Sequence, residues 1–179
     1  MSMEFFCWPY MDLFFNGDAS KYRYYHLVTN LYFLPYGAAV DEFQHWVYEH
    51  PEATPAARHE TWHKMEQKYL PHRDFAGLKY LEEGGFWQKQ SHIYQNPFYY
   101  IDYALASVCA FQFWLKDQQD HEKAWEEYVL LCKKGGSKNF PELVHEANLR
   151  PPFDDGILKE IAERSLEWLQ QVEVAEMAE

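Results

Sequence analysis

The segment of residues 98–116 constrains the fold more than any other part of this sequence. Apolar and aromatic side chains recur on every side of the helix that its spacing predicts. A helix that is apolar all round has to be covered by other elements. Ala104, Ala106 and Ala110 keep this helix slim enough for neighbouring helices to approach closely. We therefore predict that it lies at the centre of an all-α, multi-helix bundle.

Eight further segments show helical spacing of apolar residues, and we find almost none of the alternation typical of a half-buried strand. Thr54 followed by Pro55 is typical of a helix start, because threonine caps the first turn and proline fits its first position. Gly135 and Gly136 after two lysines predict a helix end. The eight predicted helices comprise residues 3–16, 20–33, 36–49, 55–69, 85–95, 119–134, 141–147 and 155–172.

The organisation of the chain indicates one domain. With 179 residues it is long enough to bury a sizeable core. We find no internal repeat, low-complexity tract or flexible linker, and the longest connection between predicted helices is residues 71–84. The prediction is a single helical domain over residues 1–179.

The charge of the chain excludes one class of partner. The formal net charge is −12, and no run of Lys and Arg interrupts it, so the protein repels phosphate backbones. We therefore expect no nucleic-acid partner. The longest weakly polar stretch, residues 101–115, contains polar interruptions and is too short to cross a bilayer, which predicts no membrane span.

Two features indicate a reducing compartment. Cys7, Cys109 and Cys132 form no CxxC pair and stand in apolar helical surroundings, where a free thiol packs as a small apolar group. The N-terminal letters MSMEFF carry an acid where a signal peptide has basic residues, and no A-x-A cleavage site follows an apolar segment. We expect a cytoplasmic protein.

The letters HETWH at residues 59–63 match the HExxH pattern, in which two zinc-binding imidazoles lie one helical turn apart beside a general-base Glu. Arg58 and Lys64 flank the match, and cations beside Zn²⁺ raise the electrostatic cost of binding it. The predicted helix leaves both histidines near its polar side. Two interpretations stay open: a small zinc peptidase that uses His59 and His63, and a solvated helix without metal.

A second helical string, DEFQH at residues 41–45, contains one E-x-x-H unit. Di-iron bundles need two such units and two further carboxylates on facing helices, and the sequence shows no second unit placed for this. We predict that Asp41 and Glu42 make helix-start or ion-pair contacts and that His45 packs against a neighbouring helix.

A third string, HIYQNPFYYIDY at residues 92–103, combines an imidazole with several phenols. Such donors can stabilise a carbonyl oxygen as it becomes an oxyanion. Tyr99 and Tyr103 are four residues apart and Tyr100 and Tyr103 three apart, so their hydroxyls share one helical edge. The same residues also fit an aromatic-rich core helix whose hydroxyls find buried partners. The pattern alone leaves both interpretations open.

Extended back to Gly85, this third string reads GFWQKQSHIYQNPFYYIDY and resembles the C-terminal region of oligoendopeptidase F-type zinc peptidases, which are related to thimet oligopeptidase. The resemblance extends over nearly the whole chain. Residues 1–6 look like the segment directly after the family's third zinc ligand, a Glu. Residues 36–45 and 51–55 are similar to its following helices, and residues 148–153 resemble its closing turn.

The resemblance implies the C-terminal part of a zincin-type oligopeptidase catalytic domain. In that family the true HExxH helix and the Glu ligand lie upstream, and a His and tyrosines of a later helix contact the substrate and the tetrahedral intermediate. By position, the implied catalytic residues are His92, Tyr100 and Tyr103. The implied substrate-binding residues are Tyr99, Tyr94 and Asn96. The HETWH string falls after the metal site of the family.

Zinc is thus the cofactor of the complete family enzyme, and we expect none in this chain. The implied partners are a short peptide substrate and the missing N-terminal part of the enzyme. The apolar surface that would meet this missing part would be left exposed, so we also expect a homodimer. By itself the chain is expected not to hydrolyse peptides, because zinc supplies both the nucleophilic water and the Lewis acid. An alternative is a stand-alone helical module that binds a peptide or a partner helix.

Overall fold

The computed structural model describes residues 1–172, and within them every regular element is helical. The prediction of an all-α fold is confirmed. The α-helices are α1 (Ser2–Phe6), α2 (Asp12–Phe15), α3 (Ala19–Glu49), α4 (Pro55–Tyr69), α5 (Lys79–Glu82), α6 (Ser91–Gln95), α7 (Ile101–Asp117), α8 (His121–Lys134), α9 (Phe140–Glu146) and α10 (Ile157–Gln171). Short 3₁₀ helices comprise Trp8–Tyr10, Asn16–Asp18 and Gly85–Lys89.

Helix α3 joins two helices that the sequence predicts separately. It runs through Pro35 without ending there, so the predicted break between residues 33 and 36 is wrong. A proline inside a helix removes one backbone hydrogen bond and usually kinks or breaks the helix. The residues that follow it are strongly buried, with Ala39, Val40 and Phe43 fully inside the core. Burial of this face holds the helix together across the proline.

The predicted first helix, residues 3–16, is divided. Helix α1 ends at Phe6, a 3₁₀ turn containing Pro9 follows, and α2 begins at Asp12. Proline fits the first positions of a new helical turn, which is where Pro9 lies. Helix α5 lies within the predicted connection of residues 71–84, and the predicted helix of residues 85–95 is a 3₁₀ turn followed by α6.

The chain divides into two compact units, which we describe one at a time. The first unit comprises Met1–Leu31 and the chain from Leu105 onward, and the second comprises Tyr32–Ala104. In the first unit, α7 buries side chains on several sides, as predicted for residues 98–116. The core cluster of this unit consists of Phe6, Phe113, Ala124, Val144, Ala147 and Leu149.

The second unit carries its own apolar core and all the residues predicted for the site. Its core cluster consists of Ala39, Val40, Phe43, Trp62, Trp87 and Ile93. Helix α4 contributes Trp62, and its bounds agree with the prediction because Thr54 Oγ1 accepts a hydrogen bond from the Ala57 amide at 3.2 Å. The single domain over residues 1–179 stays a prediction. No helix in residues 1–172 has the length and apolar character needed to span a membrane.

Candidate active site

A strained turn sets the start of α7. Phe98 has a φ of 64°, a left-handed conformation that bulky residues rarely adopt. Its amide donates a hydrogen bond of 2.9 Å to Oε1 of Gln44, a side chain that is fully buried in α3. The Phe98 ring packs on the rings of His45 and Tyr48, each at a centroid distance of 4.9 Å. Helix α7 therefore begins at Ile101 and not at residue 98.

This turn places Tyr99 and Tyr100 beside His92 of α6. The His92 ring lies 5.0 Å from the Tyr100 ring, 5.9 Å from the Tyr103 ring and 6.4 Å from the Tyr99 ring. Tyr103 in turn lies 5.2 Å from Tyr99 and 5.7 Å from Tyr100. We call these four residues the His–Tyr cluster. The structure thus brings together the three residues predicted to be catalytic and one of those predicted to bind substrate.

Two phenols of the His–Tyr cluster, Tyr100 and Tyr103, have raised pKa values. A hydrogen bond with Tyr99, together with burial, raises the pKa of Tyr103. Burial raises the pKa of Tyr100, and the nearby Tyr103 adds to this effect. A phenol with a raised pKa keeps its proton further above neutral pH. Both hydroxyls can therefore donate hydrogen bonds under ordinary conditions.

Two residues that the sequence analysis missed, Tyr36 and Gln90, form a chain of polar contacts that ends on His92. The Tyr36 hydroxyl donates a hydrogen bond of 2.9 Å to Oε1 of Gln90. Nε2 of Gln90 lies 2.6 Å from Nδ1 of His92. The Tyr36 ring also meets the Tyr100 ring edge-on at 5.9 Å. The sequence hints at this support only in that Gln90 stands two residues before His92, since Tyr36 lies far away along the chain.

The other two predicted substrate-binding residues lie beside this cluster in sequence but make different contacts. The Tyr94 ring is exposed and stacks on Trp87 at 5.6 Å. Burial of part of the side chain raises the pKa of Tyr94. Asn96 is exposed, and its carbonyl accepts a hydrogen bond of 3.3 Å from the Tyr99 amide. Asn96 thus helps to shape the turn that carries Tyr99.

The two histidines of the HETWH string have different surroundings. His59 is half-buried, and its ring lies 5.5 Å from the Tyr80 ring. Its buried Nε2 has no hydrogen-bond partner among residues 1–172. The interpretation of a solvated helix therefore does not describe the surroundings of His59. His63 shares a hydrogen bond of 3.0 Å with Gln67. Glu60 is exposed and pairs with Lys64 at 2.8 Å, a hydrogen bond that lowers the pKa of the Glu60 carboxyl.

Gly84 packs directly on the backbone of this helix. It has a φ of 87°, and a Cβ at this position would lie 2.1 Å from the carbonyl oxygen of His59. Only glycine therefore fits here. Among residues 1–172, no three His, Cys, Asp or Glu side chains are grouped so that they could hold a metal ion. A metal at His59 and His63 would need a further ligand from outside these residues.

The acidic pair Asp41 and Glu42 lies in the C-terminal half of α3, and Glu42 forms an ion pair, as predicted. Oε2 of Glu42 lies 2.6 Å from Nζ of Lys68, and this hydrogen bond lowers the pKa of the Glu42 carboxyl. Oδ2 of Asp41 lies 3.6 Å from Nε2 of His45. His45 packs on Phe98 of the turn before α7, whereas the sequence predicts a neighbouring helix as its partner.

Comparison with known proteins gives a family and several similar structures. The model of peptidase family M3 matches residues 1–163. A structure of Pz peptidase A with inhibitor 2 is 57% identical with a TM-score of 0.93, and a 3.1 Å X-ray structure assigned as oligoendopeptidase F is 58% identical with the same score. One assigned as oligoendopeptidase F from Bacillus anthracis strain Ames is 47% identical with a TM-score of 0.81.

These alignments cover most of this chain and a minor part of the similar proteins. Each covers 97% of this chain, but 31%, 31% and 28% of the three matched chains respectively. This chain therefore spans less than a third of the length of the solved structures that it matches. The comparison with curated proteins gives no match.

Proposed function

The chain belongs to peptidase family M3, and we propose that it forms the substrate-binding wall of a zinc-dependent oligopeptidase that hydrolyses short peptides. The observation that supports this role most directly is the His–Tyr cluster. The centroids of its three phenol rings lie 5.0–6.4 Å from the centroid of the His92 ring. Several hydrogen-bond donors can therefore converge on one carbonyl group.

In this proposal His92, Tyr100 and Tyr103 donate hydrogen bonds to the carbonyl oxygen of the peptide bond that is cleaved. Negative charge develops on that oxygen as the tetrahedral intermediate forms, so donors fixed in advance stabilise the transition state more than the substrate. Removal of one such donor typically costs about 3 kcal/mol of transition-state stabilisation. The raised pKa values of Tyr100 and Tyr103 favour this role, because a phenolate could not donate.

Tyr99, Tyr94 and Asn96 are proposed to contact the peptide on either side of the reacting carbonyl. All three are exposed, and the Tyr94 ring is backed by the buried Trp87. An aromatic ring held from behind offers a rigid apolar surface with little entropy to lose. An extended peptide would thus lie across the turn that Phe98 shapes.

Zinc, which the family implies, does not fit the described residues. Residues 1–172 contain no group of three potential ligands. We therefore assign the zinc ligands to the part of the matched structures that this chain does not cover, and we expect the chain by itself not to cleave peptides. When bound, the metal would activate water and polarise the carbonyl.

Binding of a short, blocked peptide to the 179-residue chain tests the proposed role of the cluster. Titration calorimetry should show binding that weakens about fivefold in Tyr100→Phe and in His92→Leu, since each removes one hydrogen bond of about 1 kcal/mol. Tyr25→Phe is the matched control, because Tyr25 is 68% exposed and lies in the first unit. Equal affinity of the two cluster variants and the unchanged chain would refute the proposed contacts.

Metal analysis separates this proposal from a small zinc peptidase centred on His59 and His63. We expect less than stoichiometric zinc in the purified chain, no difference in zinc content in His59→Ala, and no cleavage of a fluorogenic peptide. Stoichiometric zinc that disappears in His59→Ala, together with cleavage that a chelator abolishes, would instead establish the small zinc peptidase.

A further inference from the structure

Gln90 occupies a position between the partly buried phenol of Tyr36 and the imidazole of the His–Tyr cluster. Its Oε1 lies 2.9 Å from the Tyr36 hydroxyl, and its Nε2 lies 2.6 Å from Nδ1 of His92. A carboxamide has one end that only accepts hydrogen bonds and one end that only donates them. The orientation of this amide therefore decides whether Nδ1 of His92 accepts a hydrogen bond or donates one.

Tyr36 decides the orientation of the amide. Burial raises the pKa of Tyr36, so its hydroxyl keeps its proton and has to place it on an acceptor. Within residues 1–172, Oε1 of Gln90 is the acceptor that the structure gives it. If the amide were reversed, its NH₂ group would face the Tyr36 hydroxyl, and the proton of this partly buried phenol would lose its acceptor.

Packing of the Tyr36 ring also holds the phenol in the orientation that meets the amide of Gln90. The Tyr36 ring makes edge-on contacts with the rings of Trp62 at 6.3 Å, Phe86 at 6.2 Å and Tyr100 at 5.9 Å. The guanidinium of Arg73 lies over the Tyr36 ring, 5.4 Å from its centroid. These contacts fix the direction in which the hydroxyl can point.

We propose that Gln90 is a positioning residue that holds neutral His92 as the tautomer protonated on Nε2, and that Tyr36 acts through Gln90 by orienting its amide. Nδ1 then accepts a hydrogen bond from Nε2 of Gln90, and the proton of the imidazole resides on Nε2. His92 can thus donate from Nε2 without first becoming an imidazolium. The inference deepens the proposed function, because it names what prepares His92 for the carbonyl oxygen.

The tautomer can be observed directly in the 179-residue chain. Two-bond ¹H–¹⁵N correlation spectra of histidine-labelled protein distinguish the two neutral tautomers, and His92→Gln identifies the signals of His92. These spectra are recorded at a pH where the ring is neutral. We expect the Nε2-protonated pattern to dominate in the unchanged chain.

Two variants test the roles of Gln90 and Tyr36. A carboxylate can only accept, so Gln90→Glu should draw the proton to Nδ1 and turn the dominant Nε2-protonated form into the minor one. Tyr36→Phe removes the donor that orients the amide and should give a mixture of both tautomers. Gln95→Glu makes the same charge change at an exposed position of α6 and should leave the His92 pattern as it is.

An Nδ1-protonated His92 in the unchanged chain would overturn the proposal, as would an unaltered pattern in Gln90→Glu. The spectra need neither zinc nor substrate, so they can succeed even where the peptide titration fails. Conversely, peptide binding that depends on His92 in a chain with the other tautomer would support the proposed function and refute the role of Gln90. The two conclusions can therefore fail separately.

Discussion

Phe98 shows how a single residue can carry strain that its neighbours hold in place. A left-handed conformation costs a non-glycine residue about 1–2 kcal/mol. The hydrogen bond from its amide to Gln44 and the ring contacts with His45 and Tyr48 offset this cost. Strained residues of this kind cluster at functional sites. Here the strained residue directly precedes the tyrosines of the His–Tyr cluster.

We predict that Gln44→Met makes the turn at Phe98 open more often. The substitution roughly conserves volume but removes the acceptor for the Phe98 amide, a hydrogen bond worth about 1 kcal/mol. Hydrogen exchange of the Phe98 amide, followed by NMR, should become about fivefold faster. Gln95→Met, at an exposed position, serves as the control and should leave this rate unaltered. Equal exchange rates in Gln44→Met and the unchanged chain would contradict the proposed support.

Glu146 provides a prediction about pH. Hydrogen bonds from the ammonium groups of Lys134 and Lys138 lower the pKa of this carboxyl from 4.5 to about 2. Because the pKa is lower in the folded state, the contribution to stability is present above pH 4.5 and is lost as the pH falls towards 2. Glu146→Gln should therefore be less stable than the unchanged chain at neutral pH, and the difference should vanish below the folded pKa.

Urea unfolding across this range of pH measures the effect. Glu163→Gln is the matched control, because Glu163 forms an exposed pair with Lys159 at 3.7 Å and such pairs contribute little. A difference between Glu146→Gln and the unchanged chain that is the same at every pH would show that the two lysines do not stabilise the ionised carboxyl.

The members of the site differ in how far the sequence could predict them. His92, Tyr100 and Tyr103 could be singled out as candidates, because the spacing of the tyrosines and the family resemblance both point to this stretch. Their catalytic roles stay predictions. Gln90 and Gln44 could not be singled out, because each has a hydrogen-bond partner 54 positions away in the chain. Contacts between such distant residues depend on how helices pack, and no local pattern records them.

At the scale of elements, the bounds of a helix are predicted accurately where residues at its own ends determine them. The bounds of α4 agree with the prediction because a capping threonine and a first-turn proline lie at its start. Helix α7 begins at Ile101 because Gln44 holds Phe98 in a non-helical conformation, which the apolar pattern of residues 98–116 does not reveal. In α3, Pro35 gives a strong local signal for a break, but burial of Val40 and Phe43 overrides it.

Pro35 therefore lowers the free energy of unfolding by a measurable amount. A proline in a helix interior is about 3 kcal/mol less favourable than alanine. Proline also reduces the conformational entropy of the unfolded chain, which offsets up to about 1 kcal/mol of this loss of stability. Pro35→Ala should raise the free energy of unfolding by about 2 kcal/mol, measured by urea denaturation. Pro55→Ala is the matched control at the start of α4, where proline is well tolerated, and should give no gain. A less stable Pro35→Ala variant would mean that the core requires the bend.

At the scale of the whole molecule, helix content was predictable and the grouping of helices was not. Apolar residues at helical spacing are a property of each segment by itself. The two apolar cores, one around Phe113 and one around Phe43, arise from contacts among distant segments. The sequence showed no linker or composition change between them, which is why it predicted one domain.

The exposed apolar surface of the first unit leads to a prediction about assembly. Leu13 is 78% exposed, Phe14 71% and Tyr25 68%. Exposed apolar side chains favour association, and we expect a homodimer in solution by size exclusion with light scattering. Phe14→Glu should shift it towards monomer, whereas Leu158→Glu, on α10, should not. Because each copy has a charge of −12, added salt should strengthen the dimer. A monomer at all concentrations and salt levels would refute the prediction.

The stacking of Tyr94 on Trp87 gives the protein an optical signal. Trp87 is 5% exposed and lies beneath a tyrosine that is 57% exposed, so anything that moves Tyr94 alters the polarity around the indole. Indole fluorescence shifts in wavelength with that polarity. Although the chain contains 7 tryptophans, the difference between its emission and that of Trp87→Phe isolates this one. Occupation of the candidate substrate surface can thus be followed by light emission alone, without a label.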